Sequence, residues 1–208
     1  MTDTPETSTT EGEVSDLEAS ALTRERLAKY RKVMEDSGFP YSFDRSHRSS
    51  DLHAAHGHLE PGEETDIVVR VAGRLMNTRT MGKLAFGVLS DSGGTIQLFV
   101  DKRTIGDEGF DAFLDLDSGD WIGAEGEVIT TKRGELSVRV SSVTLLQKSL
   151  RPLPDKWHGL KDVEERSRRR DIDLMANEDA RKTALTRARI VSELRNQFEA
   201  RGFVEVET

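Results

Sequence analysis

Between residues 66 and 146 apolar and polar residues alternate with a period of two, in short runs separated by turn residues and one helical stretch. A period of two is the spacing of a strand with one buried face, so this part of the chain is confined to a small, largely antiparallel β structure. Residues 67–76 make the first run and 83–89 the second. Ser92, Gly93 and Gly94 then supply a tight hairpin into the third, 95–100. Residues 107–116 change period: Phe110, Phe113 and Leu114 have helical spacing, and Asp107, Glu108 and Asp111 lie early, where a helix dipole favours acids. After Gly119 a fourth run covers 121–129. A turn at Lys132, Arg133 and Gly134 leads to 136–140, and 143–146 completes the sheet.

Three strands, a short helix and two more strands is the order of an oligonucleotide/oligosaccharide-binding (OB) barrel, a five-stranded Greek-key closure. A five-stranded SH3-like barrel reads similarly, although the helix ahead of the fourth strand counts against it. Gly73, Gly87, Gly123 and Gly126 fall inside the strands, as the bulges and sharp coiling of a small barrel require. The predicted architecture is mainly β with flanking helices: a barrel over 66–147, an N-terminal amphipathic helix and loop over 21–65, a connector over 148–178, and a helix followed by a strand over 179–208.

In the 21–65 region, Leu27, Tyr30 and Met34 form a helical stripe beside Arg24, Arg26, Lys29, Arg31 and Lys32, and Gly38 and Pro40 end the helix. Residues 41–65 read as a polar loop. His53, His56 and His58 there are taken as solvated, since they lack the helical spacing or the partner cysteine of a metal site. The connector opens with a proline-punctuated run, 151–159, whose pre-proline residues are extended. Arg166, Arg168, Arg169 and Arg170 can grip a phosphate backbone or pair with Glu164, Glu165, Asp171 and Asp173. A helix capped near Asn177 then places Ala184, Ala188, Val191, Leu194 and Phe198 on one stripe. Gly202 stops it, and Phe203 opens an alternating strand that ends with the chain, so the sequence reads as cut from a longer protein.

Charge restricts the kind of ligand. The formal net charge of −8 excludes a globally basic nucleic-acid coat, but it is unevenly spread. Residues 1–20 carry six acids and no Lys or Arg, a leader expected to be disordered. Residues 148–201 carry 14 basic groups against 10 acidic, and 66–147 carry nine against twelve. Nucleic acid bound to the barrel must therefore be recognised locally, by its bases. No cysteine is present, and no run approaches the roughly 18 apolar residues of a membrane span. No signal peptide opens the chain, so a cytoplasmic location is expected. No catalytic motif is visible.

OB barrels grip single strands by stacking and by basic or amide groups on the face of strands 1–3. Phe86 offers an aromatic face, though a lone Phe in a strand is commonly core. Gln97, a polar amide amid Ile96, Leu98 and Val100, must face solvent, a ligand or a buried partner. Arg79, in the loop between strands 1 and 2, and Lys83, Lys132 and Arg133 are candidate phosphate contacts that also suit ordinary solvated turns.

The strings VAGRLMNTRTMGKLAF (71–86), IQLFV (96–100), SGDWIGAEG (118–126), TKRGELSV (131–138), LRPLPDKWHGL (150–160) and RGFVEVET (201–208) resemble the N-terminal part of bacterial class II lysyl-tRNA synthetases over residues 22–208. The resemblance implies an anticodon-binding barrel whose partner is lysine tRNA. In it Phe86 stacks on the central anticodon base, Gln97 and Arg79 read or clamp that base, and Glu135 lies near a flanking one. It also implies that residues from 179 on open the catalytic domain, as motif 1. There Ala184, Ala188, Val191, Leu194, Phe198 and Phe203 belong to the homodimer interface of the full-length enzyme. That enzyme uses ATP and Mg²⁺ to join lysine to its tRNA. Ser167 and Asp171 stand where relatives commonly have tyrosines, a departure that bears on the packing of the connector. The 208 residues lack the family's motifs 2 and 3, so this chain is expected to be inactive alone, with no cofactor or metal of its own. The alternative is a stand-alone OB-fold RNA-binding or regulatory module derived from such a synthetase.

Overall fold

The computed structural model describes residues 21–153 and 162–207. The acidic leader and the centre of the proline-punctuated connector, 154–161, lie outside the described residues. The chain divides into two compact units at Pro152/Leu153.

In the first unit, α1 (Ala21–Asp36) and α2 (Ser49–His56) precede β1 (Glu64–Met81), β2 (Leu84–Ser90), β3 (Thr95–Asp101), α3 (Lys102–Leu114), β4 (Trp121–Thr130) and β5 (Leu136–Gln147). The strands close a barrel in the order β1-β2-β3-β5-β4, antiparallel except where β3 runs parallel to β5. Inward positions are buried with the expected alternation: Val69, Val71 and Leu75 on β1, Ala85 and Leu89 on β2, Ile96, Leu98 and Val100 on β3, and Val138 and Val140 on β5 join Phe110 and Phe113 of α3 in one core. Two strand glycines are required by close approach. A Cβ on Gly126 would lie 2.0 Å from the Arg139 carbonyl oxygen, and one on Gly123 would lie 2.5 Å from the Phe43 ring.

Several elements differ from expectation. β1 runs on to Met81, so Arg79 is on a strand, directly opposite Phe86, and not in a loop. Beyond Met76 the strand is mostly exposed, at Asn77, Arg79, Thr80 and Met81, so it carries no buried apolar alternation, which hid its strand character. Residues 136–147 form one strand with a bulge, where Ser141 Oγ donates to the Glu125 carbonyl at 3.0 Å. α3 begins at Lys102 and kinks at Gly106 (φ 81°) before the helix expected from Asp107.

α2 lies in what read as a loop. Its one apolar anchor is Leu52, fully buried in the barrel core, and its start is held from 42 residues away. Asp91 Oδ2 accepts from Ser49 N at 2.8 Å, and Oδ1 accepts from Ser49 Oγ at 2.5 Å, Gly93 N at 2.7 Å and Gly94 N at 3.1 Å. These hydrogen bonds outweigh the desolvation that pushes the carboxyl up, and hold Asp91 below the usual carboxylate range.

α1 is docked mainly by polar groups. Met34, assigned to the apolar stripe, is half exposed, whereas Thr23 and Arg26 are buried. Arg26 Nη1 donates to the carbonyls of Ser149 and Arg151, both at 3.2 Å, and Lys29 Nζ donates to the Asp115 carbonyl at 2.9 Å. Beneath them Lys148, its side chain 1% exposed, pairs with Asp117 and with Asp120 Oδ2, the latter at 2.8 Å.

The second unit holds α4 (Val163–Arg168), α5 (Arg170–Ala176) and α6 (Glu178–Ala200). Its arginines pair internally: Arg166 Nε with Asp173 at 2.7 Å, Arg170 with the same buried carboxylate, and Arg168 with Glu164 at 2.7 Å. Asn177 Oδ1 caps α6 by accepting from Ala180 N at 3.3 Å, and Gly202 (φ 82°) ends it. Residues 203–207 do not form the expected strand, since a strand needs a partner for its backbone groups and none of the described residues supplies one. Phe203 instead meets Phe198 edge to face at 5.5 Å.

Candidate nucleic-acid interface

The outward faces of β1, β2 and β3 carry side chains that the core has no use for. Because Ala85 and Gly87 point inward, Phe86 points out, and the same parity turns Gln97 and Phe99 outward between Ile96, Leu98 and Val100. Phe86 is therefore not core. Together with the β4–β5 turn this face forms a groove of about 680 Å³ that brings together Arg79, Phe86, Gln97, Lys132, Arg133 and Glu135. These residues come from two distant stretches of chain, joined only by barrel closure. Lys83, in the β1–β2 turn, is exposed but outside the lining.

Strand register sets the geometry. Arg79 and Phe86 are cross-strand partners, and the Arg79 guanidinium lies 5.1 Å from the centre of the Phe86 ring, a cation on an aromatic face. Phe86 pairs in turn with Phe99, whose ring meets it nearly perpendicularly (77°) at 5.5 Å. Gln97 is oriented by Ser137, whose Oγ lies 3.0 Å from Gln97 Oε1, so the carboxamide is held in place while its other end remains available as a donor. The turn bearing the cations is shaped by Gly134 (φ 82°), with Gly134 N donating to the Thr131 carbonyl at 2.8 Å and Thr131 N to the Glu135 carbonyl at 3.0 Å. Among the described residues, no carboxylate pairs with Arg79, Lys132 or Arg133, so their charge is free for an anionic ligand.

Phe99 and Arg139 belong to this groove and were missed in the sequence. Parity alone would have found them: Phe99 is two residues beyond Gln97, and Arg139 lies four beyond Glu135 and beside Phe99 on the neighbouring strand. Arg139 differs from the other cations, because Glu64 and Glu127 (3.7 Å from Nη1) flank its guanidinium.

The arrangement can stack a flat ring, offer hydrogen bonds to its edge and attract phosphate. It contains no paired nucleophile and base. Among the described residues no group of three or more His, Asp or Glu is placed to hold a metal ion. His53, on α2, instead places Nε2 3.0 Å from the Thr95 carbonyl. No helix among the described residues is long and apolar enough to cross a membrane. On α6, Val191, Leu194 and Phe198 are exposed, as are Ala188 and, beyond the helix, Phe203, while Ala184 is partly covered.

Residues 69–146 match the tRNA anti-codon family, described as an OB-fold nucleic acid binding domain. Over 91% of its length the chain is 47% identical to a lysine–tRNA ligase of Synechococcus sp. (strain RCC307), 48% to one of Synechococcus sp. (strain CC9311) and 46% to one of Prochlorococcus marinus (strain MIT 9303). It covers 38%, 39% and 39% of these proteins, so it spans about two fifths of the length of the curated relatives it matches.

Proposed function

We propose, on the premise that residues 69–146 belong to the OB-fold nucleic acid binding domain family in a chain homologous to part of the lysine–tRNA ligases, that the barrel binds the anticodon loop of lysine tRNA. The observation that carries this reading is that an outward Phe, an oriented Gln and three cations without a carboxylate partner among the described residues line one groove outside the core. Phe86 stacks on the central base of the anticodon, and Gln97 bonds the edge of that base. Arg79, already over the Phe86 ring, clamps it from the side. Glu135 faces a flanking base, while Lys132, Arg133 and, from the rim, Lys83 hold phosphates. Base contacts carry the specificity and phosphates the placement.

The remaining parts follow from the same homology. The stripe Ala184, Ala188, Val191, Leu194 and Phe198, exposed except at Ala184, belongs with Phe203 to the homodimer interface of a full-length, cytoplasmic ligase. In that enzyme ATP and Mg²⁺ serve the adenylation of lysine.

Titration of the chain with a lysine-tRNA anticodon stem-loop tests the barrel assignment. Phe86→Ala is expected to weaken binding about 5- to 150-fold, from a stacking contribution of about 1–3 kcal/mol. Binding as tight as that of the parent chain would overturn the assignment.

A further inference from the structure

α1 is tied to the barrel without taking part in its core. No residue of α1 belongs to the cluster of buried apolar side chains that fills the barrel, and the two α1 residues that are buried, Thr23 and Arg26, are polar. What the helix holds instead is the segment by which the chain leaves the barrel. Residues 148–151 follow β5 with no helix or strand of their own, yet their polar groups are gripped one after another. Lys148 Nζ lies between Asp117 and Asp120, and Ser149 N donates to Asp120 Oδ1 at 2.8 Å. The carbonyls of Ser149 and Arg151 both accept from Arg26 Nη1 at 3.2 Å, and Ser149 Oγ donates to the Arg151 carbonyl at 3.0 Å. Bridging carbonyls on either side of Leu150 with one guanidinium fixes the backbone across that residue. The anchor beneath is itself held: Asp120 is fully buried, and its Oδ2 accepts from Asp117 N at 2.8 Å. Lys29, one turn along α1 from Arg26, fastens the helix to the same loop, donating to the Asp115 carbonyl at 2.9 Å and pairing with Asp117 at 3.4 Å.

We propose that α1 is a strap that locks residues 148–151 onto the barrel, with Arg26 as the clasp, and that this lock fixes the direction in which the chain departs for the helices that follow. Arg26 is then a positioning residue: it reaches from 123 and 125 positions away to hold backbone that no ladder of its own would hold. With the exit segment fixed, a ligand on the barrel is presented at a defined angle to whatever the chain carries next. The lock is independent of what the groove binds, since neither α1 nor residues 148–151 line the groove.

The test begins with limited trypsin digestion of the 208-residue chain. Cutting after Lys148 requires that side chain, 1% exposed, to leave Asp117 and Asp120, so it reports opening of the lock, whereas cutting after Arg139, within β5, reports unfolding of the barrel itself. Opening must break the bonds from Arg26 to the two carbonyls. Arg26→Met should therefore speed cutting after Lys148 about 10- to 150-fold and leave cutting after Arg139 within about twofold of the parent. Arg26→Lys, which keeps the charge but ends one atom short of the guanidinium, should speed the first cut as well. If cutting after Lys148 is unchanged in both variants, or if the two cuts rise together, α1 is only one more packed helix and the lock is overturned. The chain has no cysteine, so a pair of spin labels on Glu108→Cys in α3 and Asn196→Cys in α6, both exposed positions, reads the consequence. Adding Arg26→Met should broaden the distribution of distances between the labels. A distribution identical to that of the labelled parent would overturn the claim that the lock sets the direction of departure.

Discussion

Asp91 shows how much one side chain can organise. It is 7% exposed, yet its carboxylate gathers hydrogen bonds from the start of α2 and from the β2–β3 turn, and at Gly93 a Cβ would lie 2.5 Å from Ser50 Oγ. Its folded-state pKa is depressed, so its contribution to stability is complete above the ordinary carboxylate value of about 3.9 and is lost as pH falls through the lower folded value. Asp91→Asn should destabilise the chain by about 1–3 kcal/mol at pH 7 in urea unfolding, with the gap to the parent closing below about pH 4 as the parent loses its own carboxylate. A gap that stays constant into acid would show that the charge is not what holds the turn. At the same scale, Gln97 was legible as a candidate because a polar amide is the wrong kind of residue for its run, whereas Phe86 offered an aromatic face that a core position explains as well. Phe99 was not, because a second Phe amid Leu98 and Val100 looks like core until the parity of Gln97 is applied to it.

Among the elements, the strands and α6 could be read from periodicity because their own residues carry the pattern. α2 could not. Only Leu52 in its eight residues is a buried hydrophobic, and the hydrogen bonds that start it come from Asp91, far along the chain. α1 was legible as a helix, but its docking was not. The expected stripe included Met34, while the structure uses Arg26 and Lys29 against carbonyls and carboxylates at the α3–β4 loop and the end of β5. Desolvation pushes the Asp117 carboxyl up, but the hydrogen bond from Lys148 and its charge outweigh this and hold it low. Replacing Lys148 with Met would leave Asp117 and Asp120 facing each other without the cation between them. That change should cost about 3–5 kcal/mol in chemical denaturation. A loss under about 1 kcal/mol would mean that water satisfies these carboxylates as well as Lys148 does.

For the whole molecule, net charge misdescribes the binding surface. Six of the acids behind the −8 sit in residues 1–20, and the barrel region is itself slightly acidic, yet the groove presents Arg79, Lys132 and Arg133 with no carboxylate partner among the described residues. Electrostatics should therefore be local and modest. With three phosphate contacts, from Lys132, Arg133 and Lys83 at the rim, the plot of log affinity against log salt should have a slope of about −2, from roughly 0.7 per contact on a single strand. Titrations of the stem-loop between 50 and 300 mM KCl, as rough bounds within the usual working range, would measure it. A slope near −6 would place several further cations on the RNA, beyond what the groove holds.

The residues alone were enough to read the succession of the barrel strands, the class of barrel and Gln97 as a polar residue out of keeping with its run. Periodicity and misplaced polarity are local properties that a strand cannot hide. Only the tertiary structure decided that Arg79 lies across from Phe86, that Phe99 and Arg139 share their groove, that α2 exists and that α1 is pinned by buried charge. Each of these depends on strand register or barrel closure, which bring together residues 7 to 125 positions apart. Such pairings are settled by packing the whole chain at once and leave no mark in any short window of residues.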